Sequence, residues 1–269
     1  MAARSDVTRA DGSWVRVLLA AALLLPLGPA PVAAPGPTRS ADPAWSYQGA
    51  TGPEHWADLS PEFATCRVGQ QQSPIDIRYV QPIPYEPLQP RYRSQAMDAL
   101  NDGRGVHLLA LSGGDLRVGA ESYRLLSFHF HAPGETLING AAAAAEVHLV
   151  HRDPAGRPMV VVVPIQPGAR VNSTLVRIVE RLPLLAGERV SYRQVGVNPM
   201  LLFPPDGGYY RYTGSLANPP CSEPVTWFVL AAPVELAPTL LARLARVTGG
   251  NARPARPQAG RPVFASLRH

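Results

Sequence analysis

The chain has 269 residues, enough for one sizeable hydrophobic core or two small ones. Hydrophobic residues make up 46% of it and charged residues 17%, a balance that excludes an intrinsically disordered chain. The formal net charge is +5, and every basic residue is an arginine. Because these arginines are scattered along the chain, we expect a solvated surface and no nucleic-acid partner.

The N-terminal segment has the pattern of a secretory signal peptide. Three arginines precede an apolar run at 17–25, Pro26 ends that run, and small residues follow at 32–34. The run is too short to span a bilayer comfortably, and no later segment is long enough to cross one. We predict a signal peptide at 1–34, export to the periplasm or the extracellular space, and no membrane span after cleavage. An uncleaved anchor is the alternative.

Proline, alanine and glycine dominate the next residues, which predicts an irregular leader at 35–44. From there to the C-terminus no second linker or repeat is found, so 45–269 is predicted to be one domain. This part contains two cysteines, Cys66 and Cys221. An even number of cysteines in an oxidising compartment favours one disulfide, and two free thiols are the alternative.

Short runs of β-type residues recur along this domain, separated by glycine, proline and asparagine. The predicted strands are Val106–Leu111, Leu116–Val118, Tyr123–His131, Glu146–His151, Met159–Val163 and Val225–Ala231. Helical patterns are sparse, at Ser173–Leu185 and Ala237–Val247. The alanine run at 141–145 favours a helix by propensity, but it follows a turn and leads into a strand, so we expect tertiary context to override it. The pattern predicts a mixed, mostly antiparallel sheet with a few short helices.

Three of the seven histidines are predicted to lie on one face of two neighbouring strands. Strand side chains alternate between faces, so His129 and His131 point to the same side. On the second strand His148 falls on one face and His151 on the other. The Asn139-Gly140 turn is a strong hairpin signal, and we expect it to set the two strands side by side and antiparallel. The third histidine then meets the first two.

Three neutral imidazoles with an open fourth position are typical of a catalytic zinc site. Structural zinc sites usually have four protein ligands, and neither cysteine is near these strands in sequence. Ligating histidines donate their other N–H to an oxygen, and two residues on the same face, Glu146 and Ser127, are candidate acceptors. Histidines that are simply hydrogen-bonded in the core are the alternative.

Several short segments, in this order and spacing, resemble the exported bacterial branch of the α-class carbonic anhydrases. They are GPEHW at 52–56, QSPIDI at 72–77, FHFH at 128–131, EVHLVH at 146–151, GSL at 214–216, PPCSE at 219–223 and VTW at 225–227. The resemblance runs from about Trp45 to Val263. It implies one domain on a large, twisted, mainly antiparallel sheet, zinc on the three histidines, and a Cys66–Cys221 disulfide.

The activity that the resemblance implies is the reversible hydration of carbon dioxide to bicarbonate and a proton by a zinc-bound hydroxide. Its small apolar substrate needs an apolar pocket beside the metal. By resemblance that pocket contains Val150, Val160, Leu216, Val225 and Trp227. Asn218 is also assigned to the substrate pocket, as a candidate for a substitute hydrogen bond. Strand alternation independently places Val150 on the metal face, whereas ordinary core packing is the alternative for Val160 and Val225.

Three positions depart from the family pattern. Ala217 stands where the family usually has a threonine, whose hydroxyl contacts a buried glutamate, here Glu135; only the backbone N–H of Ala217 remains. Arg104 stands at the position of the proton-shuttle histidine, and a guanidinium does not release a proton near neutrality. Ser127 replaces the usual glutamine and is a shorter partner for His129. We therefore expect catalysis slower than is typical of the family.

Two further functions are compatible with these residues. The first is a zinc-retaining binding module with little catalysis, which Ala217 and Arg104 favour. The second is a zinc hydrolase of esters, although no G-x-S-x-G motif supports a dedicated esterase. The sequence does not specify an oligomeric state.

Overall fold

The computed structural model describes residues 44–192, 196–205 and 207–267. The predicted signal peptide (1–34) and the leader up to residue 43 lie outside the described residues. The helices are α1 (Trp56–Leu59), α2 (Thr65–Val68), α3 (Ser173–Glu180) and α4 (Pro238–Thr248), with 3₁₀ turns at Gly49–Thr51, Pro61–Phe63 and Pro199–Leu202. The strands are β1 (Asp76–Ile77), β2 (Gln81–Pro82), β3 (Gln89–Tyr92), β4 (Met97–Asn101), β5 (Val106–Ala110), β6 (Gly114–Val118), β7 (Glu121–His131), β8 (Leu137–Ile138), β9 (Ala141–Ala142), β10 (Ala145–Arg152), β11 (Pro158–Pro167), β12 (Arg189–Ser191), β13 (Tyr209–Gly214), β14 (Val225–Leu230), β15 (Val234–Leu236) and β16 (Phe264–Ser266).

Most of the described strands join one large sheet. Its main path runs β12-β4-β5-β7-β10-β11-β14-β13-β16-β2, with β6 pairing with β7 and β3, and β15 with β11. Most neighbours are antiparallel, whereas β11 runs parallel to β14 and to β15, and β16 parallel to β2. The predicted mainly-β fold is confirmed. The predicted helix at 173–185 ends earlier, at Glu180, because Pro183 cannot continue a helix.

A small hairpin lies between the two histidine strands. Asn139 and Gly140 have φ angles of 52° and 81°, the left-handed values that a tight hairpin turn requires, and they join β8 to β9. The turn therefore does not join β7 directly to β10, which corrects the sequence prediction. Those two strands are nevertheless antiparallel neighbours, and their pairing ends at His131, shortly before Pro133, which has no N–H to donate. Within the alanine run β9 is a strand, so context overrides helix propensity.

The central strands separate two buried layers. On one face Phe128 and Phe130 of β7 pack in a core that includes Leu175 of α3 and Leu244 of α4. Each fully buried side chain of this kind contributes about 1.5–3 kcal/mol. Asn172 caps α3 by accepting hydrogen bonds from the backbone N–H groups of residues 174 and 175. The opposite face carries the three histidines. Because Phe128 and Phe130 are buried on one face of β7, the histidines between and after them must point to the other face.

A disulfide joins Cys66 of α2 to Cys221, in the loop between β13 and β14, as the resemblance implies. The two Cα atoms are 5.0 Å apart, and the cysteines are separated by 155 positions in the sequence. The chain-entropy treatment assigns a cross-link over such a loop roughly 5 kcal/mol of stabilisation. The bond anchors the loop that carries Ala217. None of the described helices is long and apolar enough to span a bilayer.

Candidate metal centre

His129, His131 and His148 converge on one face of the β7–β10 pair. His148 lies directly across from His129 in the strand register, and Glu146 lies across from His131. Ring centroids are 4.5 Å apart for His131 and His148, and 5.0 and 5.2 Å for the pairs that include His129. One nitrogen of each ring lies within 4.8 Å of the others. Strand alternation predicted the shared face, and the expected pairing of the two strands predicted the convergence.

His151 lies on the opposite face, as predicted from the alternation. Its side chain is fully buried, and its Nε2 lies 2.6 Å from the hydroxyl oxygen of Tyr92. It is therefore separated by the sheet from the histidine cluster and belongs to the core.

Two of the clustered histidines have hydrogen-bond partners that fix which nitrogen faces inward. The Nδ1–H of His131 donates to the backbone carbonyl of Asn251 at 2.7 Å. The Nε2–H of His148 donates to Oε1 of Glu146 at 2.5 Å. Such partners set the ring orientation and tautomer of metal ligands. The remaining nitrogen of His131, Nε2, is buried without a hydrogen-bond partner among the described residues.

The electrostatics keep the rings of His129 and His131 neutral. Burial lowers the pKa of His129 well below its ordinary value, and the neighbouring histidines lower it further. Burial likewise lowers the pKa of His131 to about 3. For Glu146, burial alone would raise the pKa, but the contact with His148 outweighs it and lowers the pKa below its usual value. A metal ion requires neutral imidazoles as ligands, and this is the state that burial favours for His129 and His131.

These residues fit a zinc ion. Three imidazole nitrogens converge, one of them buried with no other partner, and both cysteines are joined in the disulfide. Zinc accepts such a three-histidine set and keeps a fourth position open in catalytic sites. Glu135, Glu146 and His148 form an overlapping group of possible ligands. We favour the histidine set because the Glu146 carboxylate is already hydrogen-bonded to His148.

Glu135 is a second buried carboxylate beside the cluster. Its Oε1 accepts the backbone N–H of Arg253 at 2.7 Å and lies 3.3 Å from Nδ1 of His131. Its Oε2 is buried without a partner among the described residues. Burial, reinforced by the charge of Glu146, raises the pKa of Glu135 well above its usual value. Ala217 is also buried and has no hydroxyl to offer to this carboxylate.

An apolar surface adjoins the histidines. Val150 is paired across the sheet with Val160, which is paired in turn with Trp227. The Trp227 ring lies 5.3 Å from the His148 ring, and its Nε1–H donates to the backbone carbonyl of Ser215 at 2.9 Å. The same cluster of side chains includes Val225, Leu216 and Ala217. These predicted pocket residues therefore lie together, and the cross-strand pairs bring Val150 beside them.

Arg104 is held by a ring and a carboxylate. Its guanidinium lies 4.4 Å from the centre of the Trp45 ring and contacts Oδ2 of Asp102 at 3.1 Å. The Oδ1 of Asp102 accepts the backbone N–H groups of Arg104 and Gly105. Burial alone would raise the pKa of Asp102, but His107 and Arg104 outweigh it and lower it strongly. Arg104 is thus part of a rigid ion pair.

Ser127 lies on the expected face, but no hydrogen bond between Ser127 and His129 is found in the described part of the chain.

The structure also brings to the site two residues that sequence reasoning missed. Asn251 and Arg253 contact His131 and Glu135 from positions almost 120 residues further along. No local pattern marks them. A cleft of about 600 Å³ between residues 76–81 and 255–263 is lined by none of the three histidines.

Comparison with known proteins agrees with this arrangement. Residues 51–267 match the eukaryotic-type carbonic anhydrase family. A carbonic anhydrase from Nostoc sp. is 34% identical, over 86% of this chain and 89% of its own length. The solved α-carbonic anhydrase of Thermovibrio ammonificans, in complex with the inhibitor sulfanilamide, is 36% identical with a TM-score of 0.79, over 83% of this chain and 100% of that one. A dioscorin structure complexed with ascorbate is 30% identical with a TM-score of 0.76, over 84% and 99%. The chain belongs to the eukaryotic-type, or α-class, carbonic anhydrase family of enzymes.

Proposed function

We propose that the chain hydrates carbon dioxide reversibly to bicarbonate and a proton, with one zinc ion held by His129, His131 and His148. The observation that carries the proposal is the buried Nε2 of His131. Among the described residues this nitrogen has no hydrogen-bond partner, whereas the outer nitrogens of His131 and His148 are held by the Asn251 carbonyl and by Glu146. A bound zinc ion lowers the pKa of its water to about 7, which supplies a nucleophile near neutral pH.

The chain's own residues have three tasks in this proposal. Glu146 and the Asn251 carbonyl orient two of the ligands. Val150, Val160 and Trp227 provide an apolar surface for carbon dioxide and exclude water from it. The backbone N–H of Ala217 is a donor for the oxygen that becomes negative as bicarbonate forms. Leu216, Val225 and Asn218 complete the proposed pocket.

Two positions argue for slow turnover. Without a hydroxyl at Ala217, no described residue donates a hydrogen bond to Oε2 of Glu135, and the nucleophile loses the group that would orient it. Arg104 keeps its proton near neutrality and is paired with Asp102, so buffer has to remove the product proton. Loss of an outer partner of a metal site typically lowers activity about 10- to 100-fold.

A zinc-retaining binding module is the second candidate. The unsatisfied Glu135 oxygen favours it, and the dioscorin complex with ascorbate is a related fold seen with a small organic ligand.

For either candidate function we also propose that the protein is exported from the cytoplasm. The Cys66–Cys221 disulfide supports an oxidising compartment.

Stopped-flow measurement of carbon dioxide hydration tests the proposal. Zinc-loaded protein of measured metal content is compared with the same protein treated with a chelator, in buffers of different pKa. Hydration that disappears with the metal and rises with buffer concentration supports the enzyme. Equal rates for the loaded and chelated samples would contradict it.

A further inference from the structure

His129 is the one proposed ligand whose orientation is unexplained by a hydrogen bond in the described chain. His131 and His148 each have an oxygen partner on the ring nitrogen that faces away from the cluster. His129 has no such partner among the described residues, and Ser127, which stands where the family has a longer glutamine, makes no hydrogen bond to it there. Without a further partner, the orientation of the His129 ring on β7 would depend on its contacts with the other two histidine rings alone.

One further side chain contacts the His129 ring. His107 of β5 is its direct cross-strand partner, and residues directly opposite each other in a sheet point to the same face. Their ring centroids are 5.3 Å apart with an interplanar angle of 43°. Among the described aromatic rings, the others in contact with His129 belong to the two remaining proposed ligands, so His107 is the non-ligand ring beside it.

His107 is itself anchored. Its Nε2 lies 3.6 Å from Oδ2 of Asp102, an ion-pair distance slightly longer than a direct hydrogen bond. Asp102 is fixed by two backbone N–H groups and by the Arg104 guanidinium, which stacks on Trp45. The side chain of His107 is 34% exposed, so it forms an edge of the site that solvent reaches.

We propose that His107, anchored by Asp102, is the positioning residue of His129 and replaces the missing glutamine at position 127. The proposal deepens the zinc site of the proposed function and rests on it. His107 acts through His129 and is not itself a ligand: the geometric ligand group contains His129, His131 and His148 without it. His107 on the neighbouring strand β5 then compensates for the shorter side chain of Ser127, which stands in place of the glutamine.

A double-mutant cycle on zinc affinity tests this assignment. His107→Ala should weaken zinc binding about 10- to 100-fold and alter the visible spectrum of the cobalt-substituted protein. Adding Ser127→Gln to that variant should recover most of the loss, because the amide reaches His129 from its own strand. His55→Ala, at an exposed histidine beside α1, is the matched control and should bind zinc as the wild type does.

The single variant Ser127→Gln keeps the test decisive even if His107→Ala fails to fold. It should change zinc affinity little, because His129 is already oriented. Tighter binding by Ser127→Gln alone, or a His107→Ala variant with wild-type affinity and an unchanged cobalt spectrum, would overturn the role of His107. Wild-type protein that binds no zinc would instead overturn the proposed function along with it.

Discussion

The backbone N–H of Arg253 satisfies one carboxylate oxygen of Glu135 at 2.7 Å, while the other oxygen is buried with no hydrogen-bond partner among the residues that the structure describes. Leaving a buried acceptor unpaired costs about 1–3 kcal/mol, so such an atom identifies a position where a partner has been lost. Burial also raises the pKa of this carboxyl. We propose that the alanine at 217, where the family has a threonine, accounts for the missing partner.

Ala217→Thr should therefore raise the hydration rate by about 10-fold or more, within the 10- to 100-fold range typical of outer partners of a metal site. The new hydroxyl can donate to Oε2 of Glu135 and accept from the nucleophile, which fixes its orientation. Stopped-flow hydration at equal zinc content measures the gain. A gain on a working enzyme supports catalysis as the native function, whereas a large gain from a rate near zero favours the binding module.

Ala217→Val is the matched control for that variant. Valine has nearly the shape of threonine but no hydroxyl, so it should give no gain. An equal rise with valine would attribute the effect to packing and would contradict the role assigned to the hydroxyl.

Arg104→His should raise turnover most strongly in dilute buffer and make the rate less dependent on buffer concentration. Imidazole exchanges protons near neutral pH, whereas guanidinium does not. Arg104→Gln is the control, because it also breaks the contacts with Trp45 and Asp102 but supplies no imidazole. A change seen in Arg104→His and not in Arg104→Gln is due to proton transfer and not to loss of the ion pair. The assignment fails if both variants show the same buffer dependence.

Glu146→Gln should weaken zinc binding about 10- to 100-fold, because the amide is a poorer acceptor for the Nε2–H of His148. Competition with a coloured chelator measures the affinity. Glu62→Gln, at an exposed carboxylate, should leave the affinity unchanged. Wild-type affinity in Glu146→Gln would mean that His148 is oriented by packing alone.

His151 should make the fold less stable in acid. Burial lowers its pKa to about 3, whereas an unfolded histidine has a pKa near 6.5. Unfolding therefore takes up a proton between these values, and the free energy of unfolding should fall by up to about 1.4 kcal/mol per pH unit as the pH drops through this range.

Urea unfolding of His151→Gln between pH 7 and 4 checks this contribution. The variant will be less stable at neutral pH because it loses the contact with Tyr92, but its stability should fall less steeply with acid. His55→Gln should keep the wild-type slope. Parallel curves for His151→Gln and the wild type would show that His151 does not take up the proton.

Strand periodicity predicted which histidines share a face, but the pairing of the two strands was inferred from the Asn139-Gly140 turn, which joins β8 to β9 instead. His129, His131 and His148 share a face because side chains alternate along β7 and β10, and His151 is excluded by the same rule. Asn251, Arg253 and the pairing of His107 with His129 could not be predicted this way. Each depends on which distant segment or neighbouring strand packs beside the site, and a period-two pattern carries no information about that.

The Asn139-Gly140 turn illustrates the same limit on a smaller scale. Its residues predict a tight hairpin correctly, because both adopt left-handed φ angles. The sequence does not say which strands the hairpin joins. The small β8–β9 pair closes on that turn, while the pairing of β7 with β10 follows from the long sheet around it.

A zinc titration of metal-free protein tests the central claim most directly. Bound zinc and carbon dioxide hydration are measured in the same samples, with His131→Ala as the variant that removes the buried, unpartnered nitrogen. The hydration rate should rise in proportion to bound zinc and stop rising at one zinc per chain, and His131→Ala should neither bind zinc tightly nor catalyse. Full zinc occupancy without hydration, or hydration that persists in metal-free protein, would contradict the account.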